Sequence, residues 1–298
     1  MGSKSMISKV FITCIAAGCL FGTGLTASAA SADKGATAGK PETLEAKVQR
    51  LSDYAEIQDV MSRHAFYYSA GQHDREMTEL WAKHTPGTCF GTDDGYWCGY
   101  DLVWASYVKY FDHARQRDLD DVVKLHPEIK NTKENWGAGS MMFHSLTTPV
   151  IVVAGDRKTA KAIWYSPGYV SQTPNGIKDS KWMWERYGCD FVLEDGHWRM
   201  WHFHVYTDFA ADRDVAAAGA SKGPSGPPAA KNYDADGKEL PPGQDATMPK
   251  MNAKGTSSGV MGERDWAPPV ENPKVPVPYN TFSETFSYGP ANDQPEKK

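Results

Sequence analysis

The sequence predicts an α+β fold in which a curved antiparallel sheet packs on a layer of N-terminal helices. Three observations carry this expectation. Apolar residues recur with helical spacing from Leu44 to Phe111. From Ser140 the chain becomes a series of aromatic and β-branched runs broken by Gly, Asp and Pro, which read as strands. The helices come first and the strands follow, without the alternation that builds a parallel α/β sheet.

The first helix is carried by Leu44, Val48, Leu51, Tyr54, Ile57, Met61 and Tyr68, and Gly71 stops it. Asp74 is placed to cap a second helix through DREMTELWAKH, whose apolar side is Met77, Leu80 and Trp81. Asp101 is placed to cap a third, DLVWASYVKYFDHARQ, with Trp104, Tyr107, Val108 and Phe111 inward. The charged stretch from about Arg115 to Glu134 reads as a solvated loop. Four strand-like runs follow: SMMFHSLTTPVIVVAG, TAKAIWYSPGYVSQT, SKWMWERYGCDFVLEDG and HWRMWHFHVYTDF. GDRKT and EDGH read as hairpin turns, the second with an Asp-Gly step.

Lys4, Lys9, the apolar run VFITCIAAGCLFGTGL and the small residues TASAA have the order of a secretory signal over residues 1–29. Lipoprotein anchoring at Cys19 is the minority alternative. Residues 30–42 read as a disordered leader, 43–209 as the folded domain, and 210–298 as a Pro/Gly-rich irregular extension. Within that extension VPYNTFSETFSYGP has enough aromatic residues to clip onto the domain or a neighbouring subunit. The expected location is secreted, periplasmic or cell-envelope, with no integral membrane segment after cleavage. Past residue 29 the chain carries 30 Lys and Arg against 37 Asp and Glu, a balance that gives no support to a nucleic-acid partner. Cys89, Cys98 and Cys189 remain; a Cys89–Cys98 bridge fixing a pocket lid is favoured over three reduced, partly buried cysteines.

Two sequence features point to a known family. One is the His-x-x-Thr-x-Pro-x-Ile step at His144, Thr147, Pro149 and Ile151; the other is the Gly-x-Trp-Arg strand at Gly196, Trp198 and Arg199. With three helices ahead of them, they resemble the SnoaL-like branch of the NTF2-like superfamily over roughly residues 44–209. The resemblance implies a cone-shaped α+β fold, with a pocket between the concave sheet and the helices. It also implies possible dehydratase chemistry by histidines, tyrosines and an aspartate, and a homodimer. Such dehydratases commonly end the first helix in a Tyr followed by an Asp. Here Tyr68 is kept, but the Asp position falls on Gly71 and a later Asp on Asp74. A His–Asp base is therefore unsupported at its usual place.

His144 is the leading base, because an imidazole titrates near neutrality. His202 and His204 share strand parity and could serve as its acidic partner. Tyr68 would stabilise a developing oxyanion. His64, Tyr67, Trp104, Tyr107, Trp164, Trp184, Arg186, Tyr187 and Asp190 are the candidate substrate-binding residues, their aromatic rings suiting an aromatic ligand. For each, a packed core or rim position is the competing reading. No metal or other cofactor is expected; if a metal were required, His144, His202 and His204 would be the first ligand candidates. No phosphate loop, dinucleotide fingerprint or nucleophile elbow is present. The expected function is a cofactor-independent lyase, dehydratase-like or aldehyde-eliminating, acting on a hydroxylated aromatic or polyphenolic compound. The alternative is a non-catalytic extracytoplasmic module that binds aromatic ligands.

Overall fold

The computed structural model describes residues 42–173, 179–212, 248–254 and 273–290. The expected signal segment, nearly all of the leader and most of the extension lie outside these residues. Helix α1 (Leu44–Ala70) begins at Thr43, whose Oγ1 accepts the Ala46 amide at 3.2 Å, and ends at Gly71 in the left-handed region, φ 69°. Helix α2 (His73–Leu80) starts one residue before Asp74, so this aspartate lies in the first turn and does not cap from outside. Asp101 is likewise inside the first turn of α3 (Tyr100–Trp104). A π-helical segment, Ala105–Lys109, joins α3 to α4 (Tyr110–Leu125). The expected loop after Arg115 is thus helical for three further turns, held by Leu119 and Val122, which are buried one turn apart.

Between α2 and α3 lies a hairpin that the strand patterns did not reveal, β1 (Cys89–Thr92) and β2 (Gly95–Cys98). Its ends are closed by the Cys89–Cys98 disulfide, while Cys189 is free and buried. The remaining strands are β3 (Met141–His144), β4 (Thr147–Val153), β5 (Thr159–Gln172), β6 (Asp179–Glu194), β7 (His197–Asp212) and the short β8 (Ala253–Lys254). Asp195 and Gly196, both at positive φ, make the tight turn from β6 to β7.

The expected cone is not formed. The sheet runs in the order β3-β5-β6-β7-β1-β2-β8, with β4 also on β5, and it neither closes nor curls into a cone. Nor is it wholly antiparallel, since β1 lies parallel to β7. The early hairpin accounts for this: its strands are laid down before the main sheet and join the free edge of β7 from the same direction. The α+β composition and the helical layer against the sheet stand. Ile57 and Met61 of α1, Met77 of α2, Trp81 just after it, and Val103 and Tyr107 pack with Phe191, Met200 and Phe203 to form the core between the layers.

Two bulges decide which side chains face that core. Asp190 pairs with His202 but Phe191 with Met200, so Trp201 is an extra residue in β7; Asp208 is extra in the same way between Phe209 and Thr207. Trp198 and Met200 therefore face the helices. Past Trp201 the alternation changes phase, and Phe203 takes the helix side. Among the described residues, no helix is long and apolar enough to cross a membrane.

Candidate active site

Between the helices and the sheet is a cavity of about 240 Å³. Its walls are mostly rings: Phe90 and Trp97 from the hairpin, Tyr107 from the π-helical segment, Phe111 from α4, Phe203 from β7. Polar groups reach it from three directions. His64 and Tyr68 come from successive turns of α1, His144 from the end of β3, and Glu185 and Tyr187 from one face of β6.

His144 is buried against Gly168, its direct partner on β5. A Cβ at Gly168 would lie 2.8 Å from the imidazole Nδ1 and 2.6 Å from the Phe143 carbonyl oxygen, so the ring can sit there only against a glycine. His144 Nδ1 is 3.2 Å from Glu185 Oε2 and 3.4 Å from Ser166 Oγ. The Tyr187 hydroxyl donates to the same Glu185 oxygen at 3.2 Å. This gives an imidazole with a buried carboxylate at Nδ1, leaving Nε2 available for proton exchange.

On the α1 side, His64 Nδ1 is 2.6 Å from Glu76 Oε1, and both side chains are almost wholly removed from solvent. Burial alone would push the Glu76 carboxyl up, but His64 and His73 hold it below the usual carboxylate range. His73 is pushed down by burial, and its Nε2 lies 3.2 Å from Arg115 Nη2. Burial, reinforced by the nearby glutamates, raises the phenols of Tyr68, Tyr107 and Tyr187 well above their ordinary value. All three are neutral donors at any working pH.

Several expected site residues stand elsewhere. His202 and His204 lie on the opposite face of the sheet, because the bulge at Trp201 breaks the parity that linked them to Trp198 and Met200. His202 Nδ1 meets Asp190 Oδ2 at 2.8 Å, so Asp190 does orient a histidine, but not one in the cavity. Asp190 also receives the Lys161 ammonium at 2.6 Å, the Ser287 hydroxyl at 2.8 Å and the Tyr288 amide at 2.9 Å. His204 Nδ1 meets the Tyr96 hydroxyl at 2.5 Å, and burial drives the His204 pKa down to about 3. Since His144 is on one face of the sheet and these two are on the other, the three imidazoles cannot share an ion.

Arg186 is committed to Asp208 at 2.6 Å on that outer face. Tyr67 points along α2, donating to Glu79 at 2.8 Å beneath the Arg75 guanidinium. Trp104 packs on Tyr100, Trp164 on Phe191 in the core, and Trp184 is largely exposed beside Trp182. Of the expected substrate contacts, His64, Tyr107 and Tyr187 line the cavity together with His144 and Tyr68.

The residues that sequence reasoning missed are carboxylates. Neither Glu185 nor Glu76 is among the candidate residues read from the sequence, although His73, Glu76 and Leu80 form one helical stripe on α2. The usual Asp position is Gly71, which is left-handed; its carbonyl takes the Arg115 guanidinium at 2.6 Å, and a Cβ there would displace that group.

Among the described residues, one group has metal-ligand spacing: His84, Glu194 and Asp195. Glu194 is already saturated by the amides of Lys83, His84 and Thr85 and by the Thr85 hydroxyl, so it anchors a loop.

The SnoaL-like domain family matches residues 49–204. Similar solved structures include a type 2 hexachlorocyclohexane dehydrochlorinase, LinA, at 14% identity over 60% of this chain and 99% of that one, with a TM-score of 0.40. The LinA-type3 dehydrochlorinase of Novosphingobium barchaimii LL02 matches at 15% identity over 60% and 99%, TM-score 0.39. The Kfla4162 protein of Kribbella flavida matches at 14% over 57% and 99%, TM-score 0.40. No curated protein matches the sequence.

Proposed function

Because this chain belongs to the SnoaL-like family, we propose that it is a lyase removing water or a small aldehyde from a compact hydroxylated aromatic or related carbonyl compound by proton transfer. One observation carries the reading: His144 stands 3.2 Å from Glu185 at the wall of a ring-lined cavity. A carboxylate at Nδ1 fixes the tautomer and supports the imidazolium that forms when Nε2 takes a proton. The C–H bond most easily broken this way is one acidified by a neighbouring carbonyl. As charge moves onto that carbonyl oxygen, the neutral phenol of Tyr68 is the donor suited to it, the Tyr187 hydroxyl being held by Glu185. The flat walls favour a planar ligand, and the modest volume favours a single small ring system.

The test is product analysis across a panel of hydroxylated aromatic, lignin-derived and polyphenolic compounds, with native mass spectrometry alongside. Turnover by the wild-type protein, reduced ~10²-fold or more in a folded His144→Ala variant, is the expected result. Stoichiometric binding with no product from any compound would return the chain to the class of non-catalytic binding modules. An extracytoplasmic setting belongs to the same proposal, supported by the residue order at the N-terminus and by the Cys89–Cys98 bridge. A homodimer is the expected assembly, and light scattering decides it.

A further inference from the structure

Elimination needs an acid as well as a base, and His144 has no second histidine beside it on the sheet. We infer that His64, held by Glu76, is the general acid that protonates the leaving oxygen, a role that rests on the proposed lyase reading. His64 and His144 line one cavity and share the same two phenols. The Tyr68 ring centroid is 5.9 Å from that of His64 and 5.6 Å from that of His144; for Tyr187 the values are 5.8 and 6.2 Å. A substrate lying along these phenols meets an imidazole at each end.

The electrostatic setting suits an acid. Glu76 is completely buried, is ionised, and meets His64 Nδ1 at 2.6 Å, so the proton available to a ligand is the one on Nε2. Among the described residues its second oxygen and His73 Nδ1, which faces it at 3.9 Å, have no hydrogen-bond partner, and the shortest contact of the carboxylate is the one to His64. A purely structural role explains this arrangement poorly: burying a carboxylate and an imidazole carries a large desolvation cost, and apolar residues of similar volume usually hold a core as well or better.

In the step itself, His144 Nε2 takes the proton from carbon and the C–H electron pair moves toward the neighbouring carbonyl as an enolate; when the enolate collapses, that pair becomes the new C=C bond. The C–O bond breaks, and its oxygen receives the His64 Nε2 proton and leaves as water. His144 has gained a proton and His64 has lost one, so nothing is oxidised or reduced.

The experiment uses the full chain in D2O on the compound the panel identifies, following both product and exchange of the substrate C–H for deuterium. His64→Gln should keep the exchange, which needs only His144, while product formation falls ~10²-fold. His144→Gln should lose both. His64→Gln that forms product at the wild-type rate, or that loses exchange and product equally, overturns the inference and leaves His144 standing. Wild-type protein that neither exchanges nor eliminates overturns the lyase reading, and this inference with it. If the His64 variant does not fold, ¹⁵N spectra of the wild-type histidine rings decide. The expected result is a His64 ring with one proton on Nδ1 toward Glu76 and a second on Nε2, whose Nε2 signal moves on product binding. A ring with no proton on Nε2, or one indifferent to product, would sink the assignment. Glu76→Gln, a positioning variant, should release the second proton in the same spectra.

Discussion

Lys161 and Asp190 face each other as direct partners across β5 and β6, with 2.6 Å between ammonium and carboxylate and no solvent contact for either. The described segment 273–290 lies over this pair. Phe282 and Phe286 stand 4.2 and 4.9 Å from the ammonium, and Ser287 and Tyr288 donate to the carboxylate. The C-terminal clip is thus built around a charge pair in the outer face of the sheet.

Breaking this pair on one side should be costly, because the survivor is left charged and dry. Lys161→Met is expected to lower stability by about 3–5 kcal/mol, and the Lys161→Met, Asp190→Leu double variant to recover part of it. Urea unfolding with both variants checks this. A Lys161→Met protein within 1 kcal/mol of wild type, taking that as roughly the worth of an exposed pair, would show that the clip does not depend on the charge.

The Phe282 ring offers a gentler probe of the same contact. Phe282→Ala removes a desolvated cation–π partner, worth roughly 2 kcal/mol, together with apolar burial. The expected readout is faster proteolysis within residues 273–290, while the β6–β7 region stays protected. Cleavage at the wild-type rate would contradict the expectation.

His204 gives the protein an acid weakness. Its folded pKa is pushed down to about 3 by burial, well below the ordinary histidine value, so the unfolded chain binds the proton more readily. The stabilising effect of keeping it neutral is complete above the unfolded pKa near ~6.5, and is lost as pH falls toward the folded value, at about 1.4 kcal/mol per pH unit. Asp190, held below its usual range against burial by Lys161 and His202, loses its contribution only at lower pH, as it protonates. Unfolding free energies at pH 7, 6 and 5 should fall steadily in wild type and less steeply in His204→Asn. Parallel slopes in the two proteins would remove His204 as the cause.

Gly168 and Glu185 make separable predictions for His144. Gly168→Ala removes no polar group but drives a methyl into the imidazole and the Phe143 carbonyl; displacement of the imidazole by about 1 Å is worth ~10²-fold in turnover. Glu185→Gln keeps the shape and removes the charge at Nδ1. Its loss should appear in kcat more than in KM, because the imidazolium forms during reaction. Steady-state kinetics on the panel substrate decides both, with thermal unfolding as the control for folding. A Glu185→Gln effect confined to KM would mean that the carboxylate binds ligand and does not assist the base.

The parts of this molecule that follow a regular period were legible in the sequence. α1 spans Leu44–Ala70 and stops at Gly71 as expected, although of its apolar series Leu44, Val48, Leu51 and Tyr54 are exposed and Ile57 and Met61 are buried, and the Asp195-Gly196 turn is where an Asp-Gly step belongs. What failed was continuity. One extra residue, Trp201, shifts the phase of β7, so an unbroken count from Trp198 puts His202 and His204 on the wrong face. A bulge leaves no mark in a single sequence, since each half keeps perfect alternation. The β1–β2 hairpin was hidden for another reason: its four-residue strands are too short to display a period, and the two cysteines drew attention to the bridge. Glu76 and Glu185 were passed over because a lone carboxylate is ordinarily solvated. Only the fold shows that each is buried against a histidine.

The π-helical segment Ala105–Lys109 amounts to a tolerated insertion in an otherwise continuous helix. A chain that lost one residue there would regain regular helical bonding and turn everything beyond it by about 100°. Phe111 would leave the cavity wall, and Arg115 would leave both the Gly71 carbonyl and His73. In terms of descent, this pocket stands one deletion away from being lost through a change that makes its helix more ideal.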